Sequence, residues 1–429
     1  MFKSNTFFTK FKQTSFQFTK KMSTNSEPVI KKPKYNGFSK KRKWEERRSD
    51  KGEGLYANST PPPISSEPYV RIRKWKYVML LGYSGADYFG MQRNPFTRTI
   101  EEDLFKALLK ANLITQEAFD QIQTVQYQRA ARTDKGVSAA GQVVSIKLPH
   151  EVDITKVNEN LPDEIKIFGI KRVTKGFNSK SQCNARSYLY MLPTIAFTKA
   201  DDVTAVQETF RLSEDLVKEI NQVLSNYLGT KNFHNFTCKK KYNDPSAKRF
   251  IFSFESEPPI VRKGVEFIIL KVKGQSFMLH QIRKMIGLVL AIVKGYVCPD
   301  IMVKAFSPEK LNIPKAPGLG LVLDYVHYDN YNHRYGSDGV HAILDWKEYQ
   351  ESIADFKEKF IYPTIIDTEI KDKIMLGWLA ERLCDHKFDD SNENDGKGSD
   401  DEHSSDEDDN KKEDSVDVTS ISKSVTLNS

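Results

Sequence analysis

Cysteine is scarce in this chain of 429 residues. Only Cys183, Cys238, Cys298 and Cys384 occur, far apart, with no Cys-x-x-Cys pair and no histidine cluster to complete a metal set. That spacing excludes a zinc ribbon or a disulfide framework and points to a reducing compartment. No apolar run approaches the ~18 residues of a membrane-crossing helix. The glycines at 82, 85 and 90 follow neither dinucleotide nor P-loop spacing, which excludes the common nucleotide-cofactor cradles. No helix-turn-helix or zinc-finger pattern supports a duplex-DNA reader. No internal repeat is visible. Hydrophobic residues make up only 39% of the chain, so the two ends are expected to be disordered.

Charge is plentiful and unevenly placed. The formal net charge of +8 hides an acidic tail, for residues 389–429 hold 14 acids against four lysines, a net of −10. The rest of the chain therefore carries +18. So basic a body suits a polyanion, nucleic acid first, although a solvated basic surface gives the same count. The acidic tail would compete with that polyanion for the same surface. Residues 1–26 contain no acid, five lysines and six phenylalanines. They resemble a mitochondrial presequence, yet lack its usual arginines. Met22 offers a second start. Lys31-Lys32-Pro33-Lys34 and Lys40-Lys41-Arg42-Lys43 read as nuclear-import signals or as a disordered arm that grips RNA. The expected location is the nucleus, with a mitochondrial isoform through residues 1–26.

The ordered body is expected to begin near Arg71, after a Pro/Ser linker at 59–68. Strands are predicted at 77–83, 184–192, 249–255, 265–272 and 320–328. Thr99 to Ala111 reads as a helix capped by Thr99, with Glu101 and Glu102 in the positive first turn and Leu104, Phe105, Leu108 and Leu109 as the buried stripe. Ser213 caps a second helix to residue 228. Residues 277–293 form the strongest helix, apolar all round its second half and hence buried. Helices are also expected at 347–360 and 372–383. The mixture lacks a regular βαβ rhythm and gives an α+β class.

One short segment carries chemistry. In Gln128-Arg129-Ala130-Ala131-Arg132-Thr133-Asp134-Lys135-Gly136 an acid is boxed between three cations and closed by a glycine turn. Nearby positive charge and turn N–H groups keep the Asp134 carboxylate ionised. An ionised carboxylate beside Arg serves a nucleophile, and Arg also serves a phosphate backbone. Asp-Lys-Gly is equally ordinary turn chemistry. If the segment is a strand, Arg132 and Asp134 share a face.

Five separated motifs resemble, in order, those of the TruA family of tRNA pseudouridine synthases. They are Gly82-Tyr83-Ser84-Gly85 with Tyr88-Phe89-Gly90-Met91-Gln92; Arg132-Thr133-Asp134-Lys135-Gly136; Ala185-Arg186-Ser187-Tyr188-Leu189-Tyr190; Gly274-Gln275-Ser276-Phe277 with His280-Gln281-Ile282-Arg283-Lys284-Met285-Ile286-Gly287; and Ala316-Pro317-Gly318-Leu319-Gly320-Leu321. The likeness spans about residues 75–330. Gln128-Arg129-Ala130-Ala131 ahead of Arg132, and residues 229–245, are similar to the eukaryotic pseudouridine synthase 1 branch, although Lys231 stands where that branch has His.

The resemblance implies two similar α/β halves, each an antiparallel sheet with helices on one face, and a basic RNA-binding cleft between them. The implied organisation is a basic N-terminal region (1–70), a catalytic half (71–215), a second half (216–335), a helical extension (336–388) and an acidic tail (389–429). It implies isomerisation of uridine in tRNA without cofactor or metal, at several sites near the base of the anticodon stem, with small nuclear and messenger RNA as further substrates. A monomer is expected, with no membrane association. A silent RNA-binding protein or tRNA chaperone on the same scaffold is the alternative. Asp134 matches the catalytic aspartate, Arg132 the residue that helps hold a flipped nucleotide, Tyr188 the active-site tyrosine and Leu321 an apolar residue under the base. Arg283, costly on a buried helix unless paired, is expected to pair with Asp134, with a phosphate contact as the alternative. Lys135, His280, Lys239, Lys240, Lys241, Tyr242, Lys248 and Arg249 are the expected RNA contacts, whose phosphate binding gives affinity more than sequence readout.

Overall fold

The computed structural model describes residues 73–199, 208–238 and 240–389. Both terminal tails and Lys239 lie outside them, so the expectations for the basic clusters, the acidic tail and Lys239 do too.

Ten strands make one sheet: β1 (Lys74–Tyr83), β2 (Gln128–Arg129), β3 (Ser138–Pro149), β4 (Ile165–Arg172), β5 (Ala185–Pro193), β6 (Gly229–Asn232), β7 (Lys248–Ser256), β8 (Ile260–Arg262), β9 (Val265–Gly274) and β10 (Leu321–His327). Their order is β4-β1-β3-β10-β5-β9-β7-β6, with β2 added to β3 and β8 to β9. Every pairing is antiparallel except β10 with β3, which aligns Val322 with Ser138 and Leu323 with Ala139. The last strand of the body thus inserts between β3, which follows Asp134, and β5, which carries Tyr188. The expected mixed α+β architecture holds, and its antiparallel portions join into one continuous sheet.

The helices are α1 (Ile100–Lys110), α2 (Gln116–Asp120), α3 (Ile154–Asn158), α4 (Glu214–Ser225), α5 (Gln281–Lys294), α6 (Ile301–Phe306), α7 (Asp329–Tyr335), α8 (Gln350–Phe356), α9 (Tyr362–Asp372) and α10 (Ile374–Trp378). Among the described residues none is long and apolar enough to cross a membrane. The caps fall where the sequence places them. Thr99 accepts from the Glu102 N–H at 3.3 Å, and Ser213 from the Leu216 N–H at 3.2 Å, each satisfying an orphan donor. In α1 Leu104, Phe105 and Leu108 are buried as expected, and so is Glu101. Its carboxylate pairs with Arg129 of β2 and accepts the Arg93 N–H at 2.8 Å. Burial pushes the Glu101 carboxyl up and Arg129 opposes the shift.

Two expected boundaries move. The helix expected from Phe277 begins only at Gln281, because His280 adopts a left-handed backbone (φ 61°) as its N-cap. From Gln281 to Val293 every residue is buried, and Gly295 (φ 82°) ends the helix. Beyond α8 the chain stays helical through 361–371, expected to be a break. Pro363 comes just after a wider helical turn at Lys357–Ile361, the place in a continuous helix where the regular bond pattern is already interrupted.

Candidate active site

The site is built on the loop between β2 and β3. Arg132 and Asp134 lie in this loop and not on a strand. Its backbone nevertheless alternates, with Ala131 and Thr133 buried and Arg132 exposed, so the two side chains still share a side. The first motif is its cradle. The Met91 N–H donates to the Thr133 carbonyl at 3.1 Å, and the Gly136 N–H to the Tyr88 carbonyl at 3.1 Å. The Gly85 N–H donates to Ser138 Oγ at 3.0 Å, and the Tyr83 and Thr133 hydroxyls share a 2.8 Å hydrogen bond. Gly90 has φ +92°, and a Cβ there would stand 2.7 Å from the Thr133 carbonyl oxygen. Only glycine fits so close to the Asp134 backbone. Within the loop the Val137 N–H closes a turn on the Asp134 carbonyl at 3.1 Å. Gln142 brackets Ala131, accepting its N–H at 3.2 Å and donating to its carbonyl at 2.8 Å.

The remaining motifs converge on this loop. Asp134 is half-exposed, and its Oδ2 lies 3.9 Å from Nε2 of the half-buried His280. His280 Nδ1 lies 3.8 Å from the Cys238 sulfur. His280, an expected RNA contact, faces the carboxylate. Tyr188 is buried on β5, edge-on to Phe277 with ring centroids 5.3 Å apart. Burial pushes its hydroxyl up to about 12; the Arg186 cation opposes this and the negative charge of Asp134 adds to it. Arg283 is buried, and its Nε donates to the Ala316 carbonyl at 2.7 Å. That carbonyl, and not Asp134, is the partner the structure gives it, because α5 aims the guanidinium at the 316–320 turn. A Cβ placed on Gly318 would lie 3.7 Å from the guanidinium carbon and 3.9 Å from the Lys135 carbonyl oxygen, so Arg283, the turn and the loop meet there. The Leu321 N–H donates to the Gly318 carbonyl at 3.0 Å, and Leu321 itself is buried. Tyr190 pins the same turn, its hydroxyl donating to the Pro317 carbonyl at 2.7 Å.

The expected RNA contacts are more scattered. The Lys135 ammonium lies 5.0 Å from the centroid of the exposed Phe89 ring. Lys240 is tied to Asp244 at 3.1 Å, which neutralises part of its charge. Lys241, Tyr242 and Lys248 are exposed and Arg249 is half-buried on β7. Tyr242 stands edge-on to His234 at 5.2 Å.

The sequence alone assigns Arg186 no role. Its Nη2 and Nε donate to the Ala130 carbonyl at 2.7 and 3.2 Å, and its Nη1 to the Gln275 carbonyl at 3.3 Å. It fastens the base of the Asp134 loop to the end of β9. The available signal was its place two residues before Tyr188, on the same face of β5.

Comparison with known proteins fits this arrangement. The sequence profile of the family described as tRNA pseudouridine synthase matches residues 223–329. The chain is 51% identical over 318 residues to the mouse Pseudouridylate synthase 1 homolog, covering 73% of this chain and 75% of that protein. It is 52% identical over 308 residues to the human homolog, covering 71% and 72%. The chain belongs to the tRNA pseudouridine synthase family. The likeness extends to tRNA pseudouridine synthase 1 of Yarrowia lipolytica, 33% identical over 414 residues with 76% and 77% covered. These eukaryotic relatives agree with the branch read from Gln128-Arg129-Ala130-Ala131. Members of the family isomerise uridine to pseudouridine in tRNA.

Proposed function

We propose that this chain isomerises uridines in tRNA with Asp134 as the group that acts on the ribose. The supporting observation is the convergence of the Asp134 loop, Tyr188 and the Arg283-held turn around the β3–β10–β5 junction. The reaction needs only one bond exchanged for another. Asp134 acts at the C1′/C2′ region of the ribose, and the N1–C1′ bond breaks with its electron pair going to the uracil. The base turns, C5 bonds to C1′, the proton leaves C5, and N1 is protonated. No redox step enters this balance.

The reaction requires the target nucleotide to leave its stack, at a cost of a few kcal/mol. Arg132, exposed beside Asp134, holds it out. Tyr188 stacks on the freed base with Leu321 beneath it. Its raised pKa keeps the hydroxyl protonated at neutral pH. It takes the C5 proton only as its own leaves to water, which returns one proton to N1, and the negative charge of Asp134 adds to the cost of ionising it. Lys135, Lys241, Tyr242, Lys248 and Arg249 supply phosphate and stacking contacts, with shape as the main source of specificity. The targets lie near the base of the anticodon stem, with small nuclear and messenger RNA as further substrates, a nuclear location with a mitochondrial isoform, and a monomeric enzyme.

The test is incubation with an unmodified tRNA transcript, followed by carbodiimide-stop primer extension. Stops at uridines near the base of the anticodon stem are expected. Tight tRNA binding without pseudouridine in tRNA or in a panel of other RNAs would replace the enzyme with a binding protein.

A further inference from the structure

The outward positions of β7 are Lys248, Phe250 and Phe252 and, past a register shift at Phe252, Glu255, whereas Ile251 and Phe254 are buried. Phe250 is 36% exposed and Phe252 49%. Their rings meet edge to face, centroids 4.8 Å apart, so they present one fixed aromatic surface. The Lys273 ammonium lies 5.6 Å from the Phe252 ring centroid. Among the described residues neither Lys248 nor Lys273 has a carboxylate within ion-pair distance. Folding does not account for the pair, since burying one such ring would be worth about 2 kcal/mol.

What covers these rings is indicated by charge and size. A stable protein interface needs roughly 800 Å² per partner, far more than two rings and two lysines offer. A nucleobase needs one ring face and a nearby cation for its phosphate. The patch also connects to the catalytic loop. The Gln275 N–H donates to the Phe250 carbonyl at 3.0 Å. The Gln275 carbonyl accepts from Arg186 at 3.3 Å, and Arg186 holds the Ala130 carbonyl.

We propose that Phe250 and Phe252, flanked by Lys248 and Lys273, form a stacking platform for an unpaired nucleotide of the RNA substrate, outside the pocket that takes the target uridine. This rests on the tRNA pseudouridine synthase reading. The platform adds affinity without touching the reacting atoms.

The experiment compares the full-length protein with the Phe250→Ala/Phe252→Ala double variant, whose side chains are exposed and whose melting temperature is checked alongside. Binding to an unmodified tRNA transcript is measured by fluorescence anisotropy across a salt series, and the single-turnover rate at saturating protein. Kd should rise about tenfold or more, with the saturating rate within about twofold and an unchanged salt slope, because no charge is removed. Phe252→Trp should retain wild-type affinity, and Lys273→Gln should reduce the salt slope by about one. An unchanged Kd in the double variant overturns the platform, and capture of a protein instead of RNA by these rings would appear in that way. A lost saturating rate with unchanged Kd overturns it as well. If the wild type makes no pseudouridine, the parent reading falls while the binding comparison still decides the platform.

Discussion

Replacing Gly90 with Ala separates the catalytic geometry from the stability of the fold. The residue has φ +92°, and an added Cβ would stand 2.7 Å from the Thr133 carbonyl oxygen and 3.3 Å from the Asp134 carbonyl carbon. A left-handed alanine costs about 1–2 kcal/mol. Relieving the contact to the ordinary 3.4 Å demands a shift of about 0.7 Å in the backbone that presents Asp134. Misplacing a reacting group by about 1 Å costs about 100-fold in rate. Gly264 is the control, with φ +84° and nothing within 4 Å of its Cβ. Both variants should lose about 2–3 kcal/mol or less, a fall of several degrees in Tm. Only Gly90→Ala should lose about 100-fold in single-turnover rate. Wild-type rate in Gly90→Ala, or an equal loss in Gly264→Ala, would refute the claim that the first motif exists to position the Asp134 loop.

Arg186→Met removes three hydrogen bonds to the Ala130 and Gln275 carbonyls. Bonds from a charged donor are worth about 1.5–3 kcal/mol each when broken singly. The variant should unfold at lower urea and lose rate at saturating tRNA, with Arg186→Lys intermediate; a wild-type saturating rate would remove Arg186 from the positioning of the loop. Glu369, buried on α9, has its carboxyl pushed up to about 7 by burial, against the Met375 and Leu376 N–H groups that lower it. A raised carboxyl binds more protons in the folded state, so its stabilising contribution is complete below the ordinary 4.5 and is lost as pH rises through 7. Glu369→Gln should therefore gain stability over the wild type by about 3 kcal/mol at most between pH 5 and about 8.5. Parallel Tm profiles for the two proteins would contradict this.

Local physics made much of the fold readable. Thr99 and Ser213 announce their helices because a hydroxyl must satisfy orphan N–H groups, and the apolar run after Gln281 can only be a buried helix. The helix start at His280 was not readable, since its left-handed backbone depends on its surroundings. Pro363 looks like a stop from neighbours alone, although behind the wider turn at Lys357–Ile361 it is not one. The insertion of β10 between β3 and β5 joins Val322 to Ser138, 184 positions apart, which no periodicity encodes. For the same reason Asp134 could be singled out by its boxed charge, while the Ala316 partner of Arg283 and the reach of Arg186 to Ala130 could not. Phe250 and Phe252 read as ordinary strand aromatics, because exposure at the far side of a sheet follows from what fails to cover it.

The most direct test uses tRNA transcribed with uridine tritiated at C5, because forming the C5–C1′ bond releases that hydrogen. Asp134→Asn keeps the shape of the side chain and removes its charge. Tritium release by the wild type and background release by the variant are expected, with tRNA affinity and Tm close to wild type. Release by Asp134→Asn within about tenfold of the wild-type rate would contradict the assignment of Asp134 as the group that acts on the ribose.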